Sequence, residues 1–252
     1  MTYCAAISVS AGIVFCSDSR TNAGMDQVST YSKMFKFENA EDRKFVVLGA
    51  GNLATTQATL AQMKKDIRQN SETSLNTVTT IGEAADYIGE VSKAQQEKHG
   101  KDGKEFEASF IMGGQIAGSE HRIVHIYPEG NHITSSKDTP YLQIGESKYG
   151  KPILDRIINL DTSLETAALS ALVSMDSTMR SNLTVGPPIE MIVYGANSFS
   201  LENYHRFEDD DEYLRELKKS WDSRLKEAFQ QLPPLAWAKN WNKISDSNSG
   251  VY

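Results

Sequence analysis

The chain has 252 residues, of which 39% are hydrophobic and 23% charged, and a net charge of −7. That length and apolar content suit a folded domain with a substantial core rather than a disordered chain. The negative balance argues against a nucleic-acid binder, which needs a basic surface, and no apolar run approaches the roughly 20 residues that span a bilayer.

The N-terminus MTYCAAISVSAGIVFC has no basic region and is interrupted by Ser and Gly, so it does not read as a secretion signal. A cytoplasmic protein is the expectation. Cys4 and Cys16 fit that compartment as thiols. They fall on neighbouring expected strands where they could face one another, but a disulfide is the lesser reading, and no Cys/His spacing suggests zinc.

Residues 3–9 (YCAAISV) and 12–17 (GIVFCS) are short β-branched apolar runs split by a turn, which predicts a hairpin. The polar stretch RTNAGMDQVSTYS follows, then the alternating MFKF and the buried-strand run KFVVLGAG. From Asn52 the period changes. Leu53, Thr56, Leu60, Met63 and Ile67 mark one face of a helix ending near Asn70, and Ile81, Ala84, Ile88 and Val91 mark a second. After the loop HGKDGKE come four expected strands, in FEASFIMGGQIAG, HRIVHIYPEG, NHITSS and YLQIGE. Helices are expected over about 148–158 and 163–180, then strands in PIEMIVYGA and LENYHRFE. A last helix carries Leu214, Leu217, Trp221, Leu225, Ala228 and Leu232 before Pro233-Pro234 stops it.

The order is strands, two helices, strands, two helices, strands, helix. Each sheet needs one face covered by helices and the other by its fellow sheet, so the expectation is an α+β fold: a four-layer αββα sandwich of two antiparallel sheets. Residues 1–209 would form the core domain, and 210–252 a C-terminal helical extension on the same domain or on a neighbouring subunit. The acidic run Glu208–Glu212 reads as a helix N-terminus, where negative charge suits the dipole. From 233 the chain reads as a tail, and Trp221, Trp237 and Trp241 read as core or interface, with their place in an added element tilting towards subunit contact.

Chemistry centres on Thr2. Removal of Met1 would leave its hydroxyl beside a free α-amine, whose ordinary pKa near 7.7–8.0 allows it to act as base at neutral pH. Threonine at position 2 is weak evidence alone. Hairpin register, however, returns Asp18 beside the start of the first strand, and Lys33 follows a loop later. A lysine there favours alkoxide and neutral amine, and Asp18 keeps it charged. The bland alternative is a surface ion pair worth under about 1 kcal/mol.

Together, TYCAAISVSAGIVFCSDSRTNAG, Lys33 and the Gly-rich LGAGN resemble the proteasome β-subunit and HslV pattern. SDSRTNAG, SKMFKF, IGESKYGKPILDR and SMDSTMRSNLTVGPP are similar to one branch, the bacterial Anbu or ancestral β-subunit family, over nearly the whole chain. The resemblance implies an N-terminal-nucleophile hydrolase in which Thr2 attacks, Asp18 and Lys33 support it and Arg20 braces the loop. It also implies an oxyanion donor in the LGAGN turn, with Gly51 the first choice and Gly49 the second. Ser147 falls where the family places a serine near the threonine, and Asp176 matches an acidic residue after the long helix. Three residues beyond Asp176 the usual serine is replaced by Met179, for which Ser177 or Ser181 would substitute.

The family also implies a homo-oligomer, ring or open helical ring, and leaves a partner ATPase unfoldase open; the chemistry needs no metal or organic cofactor. No propeptide is expected, since Met1 directly precedes Thr2. His121 and His125, two strand steps apart twice over, share an expected face, with His132 nearby, but lack a carboxylate or Cys cluster for metal. Two other functions stay open at this point: an amidase acting on non-peptide amides, and a ring-forming scaffold without activity.

Overall fold

The first two apolar runs form the expected hairpin, β1 (Tyr3–Val9) and β2 (Gly12–Asp18), in register from Cys4↔Ser17 to Val9↔Gly12. The computed structural model describes residues 1–22, 28–99, 104–235 and 237. Next come β3 (Arg20–Asn22) and β4 (Val28–Thr30), a small antiparallel pair. This pair lies in the polar stretch where no strand was expected. Its polar residues alternate without an apolar face, so the period-2 signal is missing.

The strands β5 (Met34–Phe37), β6 (Arg43–Gly51), β7 (Ala108–Ile116), β8 (Arg122–Ile126) and β9 (His132–Thr134) form one sheet in sequence order. The other sheet has the order β10-β1-β2-β11-β12, with β10 Tyr141–Gly145, β11 Ile189–Gly195 and β12 Tyr204–Phe207. Every pairing within both sheets is antiparallel.

The helices α1 (Leu53–Arg68) and α2 (Ile81–His99) cover the first sheet. Leu60, Met63, Ile67, Ala84 and Ile88 pack with Phe45, Phe110 and Met112. On the second sheet lie α3 (Ser147–Ile157) and α4 (Leu164–Ser181). Local sequence starts these helices. Asn52 accepts the N–H of Thr55 at 3.0 Å, and Ser163 accepts that of Thr166 at 3.1 Å, each removing one orphan donor of a first turn. Between the sheets, Ile13, Phe15, Ile111, Ile144, Ile192 and Tyr194 form a buried apolar inner layer. The fold is the αββα sandwich that the pattern of elements implied.

The two cysteines cannot pair. Cys4 lies in the inter-sheet layer with Phe15, and Cys16, next to Phe15 on the same strand, alternates to the helix-covered face. Both are fully buried and free. The LGAGN segment also differs from a tight turn: Gly49 and Gly51 still belong to β6, and only Asn52 leaves it.

Two compact units divide the chain, Met1–Asp211 and Glu212–Tyr252. The second contains α5 (Glu212–Gln230), which carries no buried residue. It starts at Glu212, so most of the acidic run precedes it rather than forming its first turn. Trp237 is exposed, and Trp241 falls outside the described residues. Among the described residues no helix is long and apolar enough to cross a membrane.

Candidate active site

Thr2 stands just before β1, between two strands of its sheet. On one side the Tyr3 N–H donates to Asp18 Oδ1 at 3.0 Å. On the other, the Glu146 N–H donates to the Thr2 carbonyl at 2.7 Å. The β1–β10 pairing ends at Tyr3↔Gly145, so this bond carries it one residue further. Gly145 has φ +81°, a conformation that glycine tolerates and other residues adopt at a cost. A Cβ there would lie 1.9 Å from the Thr2 carbonyl oxygen.

Asp18 is fully buried at the end of β2. Its Oδ1 receives Lys33 Nζ at 2.7 Å, and its Oδ2 receives the Gly186 N–H at 3.3 Å. Lys33, 7% exposed, also donates to the Arg20 carbonyl at 2.7 Å. The pair is therefore a buried one, not the screened surface contact that was its bland alternative. Burial raises the Asp18 carboxyl above the ordinary carboxylate value, against the opposing pull of Lys33 and the two backbone N–H groups.

Arg20 grips a neighbouring loop. Its guanidinium donates to the Leu183 carbonyl at 2.9 Å, while the Gly186 carbonyl accepts the N–H groups of Ser19 and Arg20. The 183–186 loop is thereby tied to the strand end that carries Asp18.

The two glycine candidates separate clearly. Gly49 donates its N–H to the Lys33 carbonyl at 3.0 Å, so it has no free donor for an oxyanion. Asn52 donates to Glu107 across the β6–β7 edge. Alternation then sends the N–H of Gly51 to the other edge, the one facing Lys33, beyond the last residue pairing of β5. Gly51 has φ +107°, and a Cβ on it would meet the Glu107 carbonyl at 2.4 Å, so the position demands glycine.

Ser147 opens α3, and its carbonyl accepts from Gln143 Nε2 at 3.5 Å; the residue paired with Thr2 is its neighbour Glu146. Asp176 lies inside α4, five positions before its last residue Ser181, rather than after it. Ser177 donates its hydroxyl to the Val173 carbonyl at 2.9 Å, within its own helix, and Ser181 is exposed. The histidines do not converge. His121 precedes β8 and bonds the Val9 carbonyl, His125 is half-buried on β8, and His132 faces Asp86 at 3.1 Å.

Several supporting residues had no sequence signal. The fully buried Tyr3 hydroxyl lies 2.5 Å from Ser174 Oγ on α4 and receives Gln143 Nε2 from β10 at 2.6 Å. One apolar-patterned tyrosine thus joins the strand after Thr2 to two other elements. Tyr3→Phe leaves both partners without that hydroxyl and is expected to cost about 1–3 kcal/mol, read as a lower unfolding temperature at fixed protein concentration. Glu190, buried on β11, accepts Ser19 Oγ at 3.0 Å and the Tyr204 hydroxyl at 2.8 Å, which anchors the residue after Asp18. Burial, reinforced by Asp18, pushes the Cys4 thiol up, so it packs as a small apolar group and not as a reactive thiolate.

Comparisons with known proteins give the family and the fold. The family model described as "Proteasome subunit" matches residues 2–194. No curated protein matches the chain. Among solved structures, Anbu (ancestral beta-subunit) from Yersinia bercovieri is 45% identical, with TM-score 0.88 over 92% of this chain and 98% of that one. The helical assembly of the Anbu complex from Pseudomonas aeruginosa is 41% identical, with TM-score 0.89 over 94% of this chain and 100% of that one. Anbu from Hyphomicrobium sp. strain MC1 is 40% identical, with TM-score 0.85 and coverage of 93% and 99%.

Proposed function

The chain belongs to the proteasome-subunit family, in its Anbu branch, and from that membership we propose that it is an amide or peptide hydrolase whose nucleophile is Thr2. The observation that carries this reading is the buried Lys33–Asp18 pair at 2.7 Å, whose carboxylate also holds the N–H of the residue after Thr2. A buried ion pair is costly to maintain for packing alone. Beside a hydroxyl nucleophile it supplies a fixed positive charge.

Removal of Met1 frees the α-amine of Thr2. The neutral amine takes the Oγ1 proton, directly or through a water, as Oγ1 attacks the scissile carbonyl. Lys33 favours the developing alkoxide, and the Gly51 N–H receives the oxyanion. The amine then passes its proton to the leaving nitrogen, and water hydrolyses the ester on Thr2, returning the amine and hydroxyl to their starting state. Arg20 and the loop it grips keep Asp18 in place. Ser147 and Asp176 belong to the surrounding support.

The protein is further read as a cytoplasmic homo-oligomer, in the manner of the helical assembly named for the Pseudomonas relative. A ring or helical ring would enclose the Thr2 sites and restrict access to them.

Intact mass of the purified protein tests the reading, before and after a threonine-directed epoxyketone. The expected result is loss of Met1 and one adduct per chain, absent in Thr2→Ala. A trimmed protein that never forms an adduct would sink the assignment of Thr2 and leave a non-catalytic assembly. Where the adduct forms, turnover of acyl-peptide reporters separates a peptidase from an amidase confined to its own amide.

A further inference from the structure

Glu146 is the residue bonded to Thr2 across the β1–β10 pair, through its N–H and the Thr2 carbonyl at 2.7 Å. That bond sets the Glu146 backbone against the Thr2 backbone just beyond the last residue pair of β1 and β10. Glu146 is only 8% exposed. It stands at the N-cap of α3, yet its side chain makes no capping hydrogen bond. Among the described residues no hydrogen bond or ion pair holds its carboxylate, whose oxygens keep some contact with solvent and stay open to a partner.

We propose that Glu146 is a positioning residue whose carboxylate binds the α-ammonium of Thr2 once Met1 has been removed. The inference rests on the proposed exposure of the Thr2 amine, and it adds a carboxylate to the Asp18–Lys33 set. Before trimming, the nitrogen of Thr2 is a neutral amide and offers Glu146 no charge. Trimming creates a cation one bond from the Thr2 Cα and supplies the missing partner. The elements around this end of β1 carry few competitors. Asp18 and Lys33 are committed to one another, burial keeps Tyr3 and Cys4 neutral, Lys148 is exposed, and Asp176 on α4 has contacts of its own.

An opposite charge at this range favours the ammonium, so the amine loses its proton at higher pH than an ordinary α-amine. The base form would then grow in through mildly alkaline pH. Glu146 thereby delays the base and holds it in place.

Trace acylation of the purified full-length protein with acetic anhydride from pH 6 to pH 10, read at the N-terminal peptide by mass spectrometry, titrates the Thr2 amine without requiring turnover. In the wild type the midpoint is expected above the ordinary range of about 7.7–8.0. Glu146→Gln should bring it down by about one pH unit and raise the epoxyketone adduct rate at pH 7 by up to about tenfold. A wild-type midpoint at or below the ordinary range overturns the pairing even if the variant fails to fold. Equal midpoints in the two proteins overturn it too, as does a retained Met1. A shifted midpoint with no adduct in either protein would uphold the pairing while the proposed hydrolase activity fails.

Discussion

Lys33→Ala is expected to lower stability by about 3–5 kcal/mol, because it leaves a buried carboxylate without its charged partner. Asp18 is fully buried, and only the N–H groups of Tyr3 and Gly186 would remain on it. The pH dependence follows from the sign of the shift. Burial already raises the Asp18 carboxyl, and removing Lys33 takes away the largest opposing influence, so the folded state holds its proton to still higher pH. An unfolded chain releases that proton near the ordinary value of about 3.9. Between those two values the folded state binds more protons, so stability falls as pH rises through the window and recovers below it. Thermal unfolding at pH 5 and pH 8, at one protein concentration, should show the larger deficit at pH 8. An equal deficit at both would mean that Asp18 is not the group responsible. Epoxyketone adduct formation should fall by about 10²–10³-fold, the usual cost of losing one fixed charge-stabilising donor.

Gly145→Ala should strike the nucleophile directly. Its added Cβ would sit 1.9 Å from the Thr2 carbonyl oxygen and 2.7 Å from the Thr2 carbonyl carbon, so the start of β1 must move. A misplacement of about 1 Å in a reacting group costs about 10²-fold in rate, and that fall in adduct formation is the expected result. Overpacking adds a stability loss of about 1–3 kcal/mol. Gly118→Ala provides the control. Gly118 has the same φ of +81° but nothing within 4 Å of its would-be Cβ. It should show the backbone strain of about 1 kcal/mol and a normal adduct rate. If both substitutions slow the adduct alike, contact with Thr2 is not the cause.

Much of this architecture was legible without coordinates because local patterns announce their own period. The change from alternating to three- and four-residue spacing at Asn52 marked α1 closely, and the Ser10-Ala11 break placed the β1–β2 hairpin. That hairpin register alone brought Asp18 to the start of β1, since pairing fixes which residues meet. Nothing in the composition of RTNAGMDQVSTYS signalled β3 and β4, because a short polar pair is stabilised by backbone bonds rather than by an apolar face.

What the sequence determined by itself was the set of residue types and their order: a threonine near the N-terminus, an aspartate one hairpin later, a lysine beyond it, and glycines before a helix. Those depend on neighbours along the chain, and neighbours along the chain are visible in it. Only the tertiary structure decided which of these groups are engaged and which are free. It spent the Gly49 N–H on Lys33, turned Cys4 and Cys16 to opposite faces, and joined Tyr3 to Ser174 across 171 positions. It also set Glu146, rather than Ser147, opposite Thr2. Each of those outcomes depends on hydrogen bonds between strands and helices far apart in sequence, where a shift of one residue reverses which side chain faces the site.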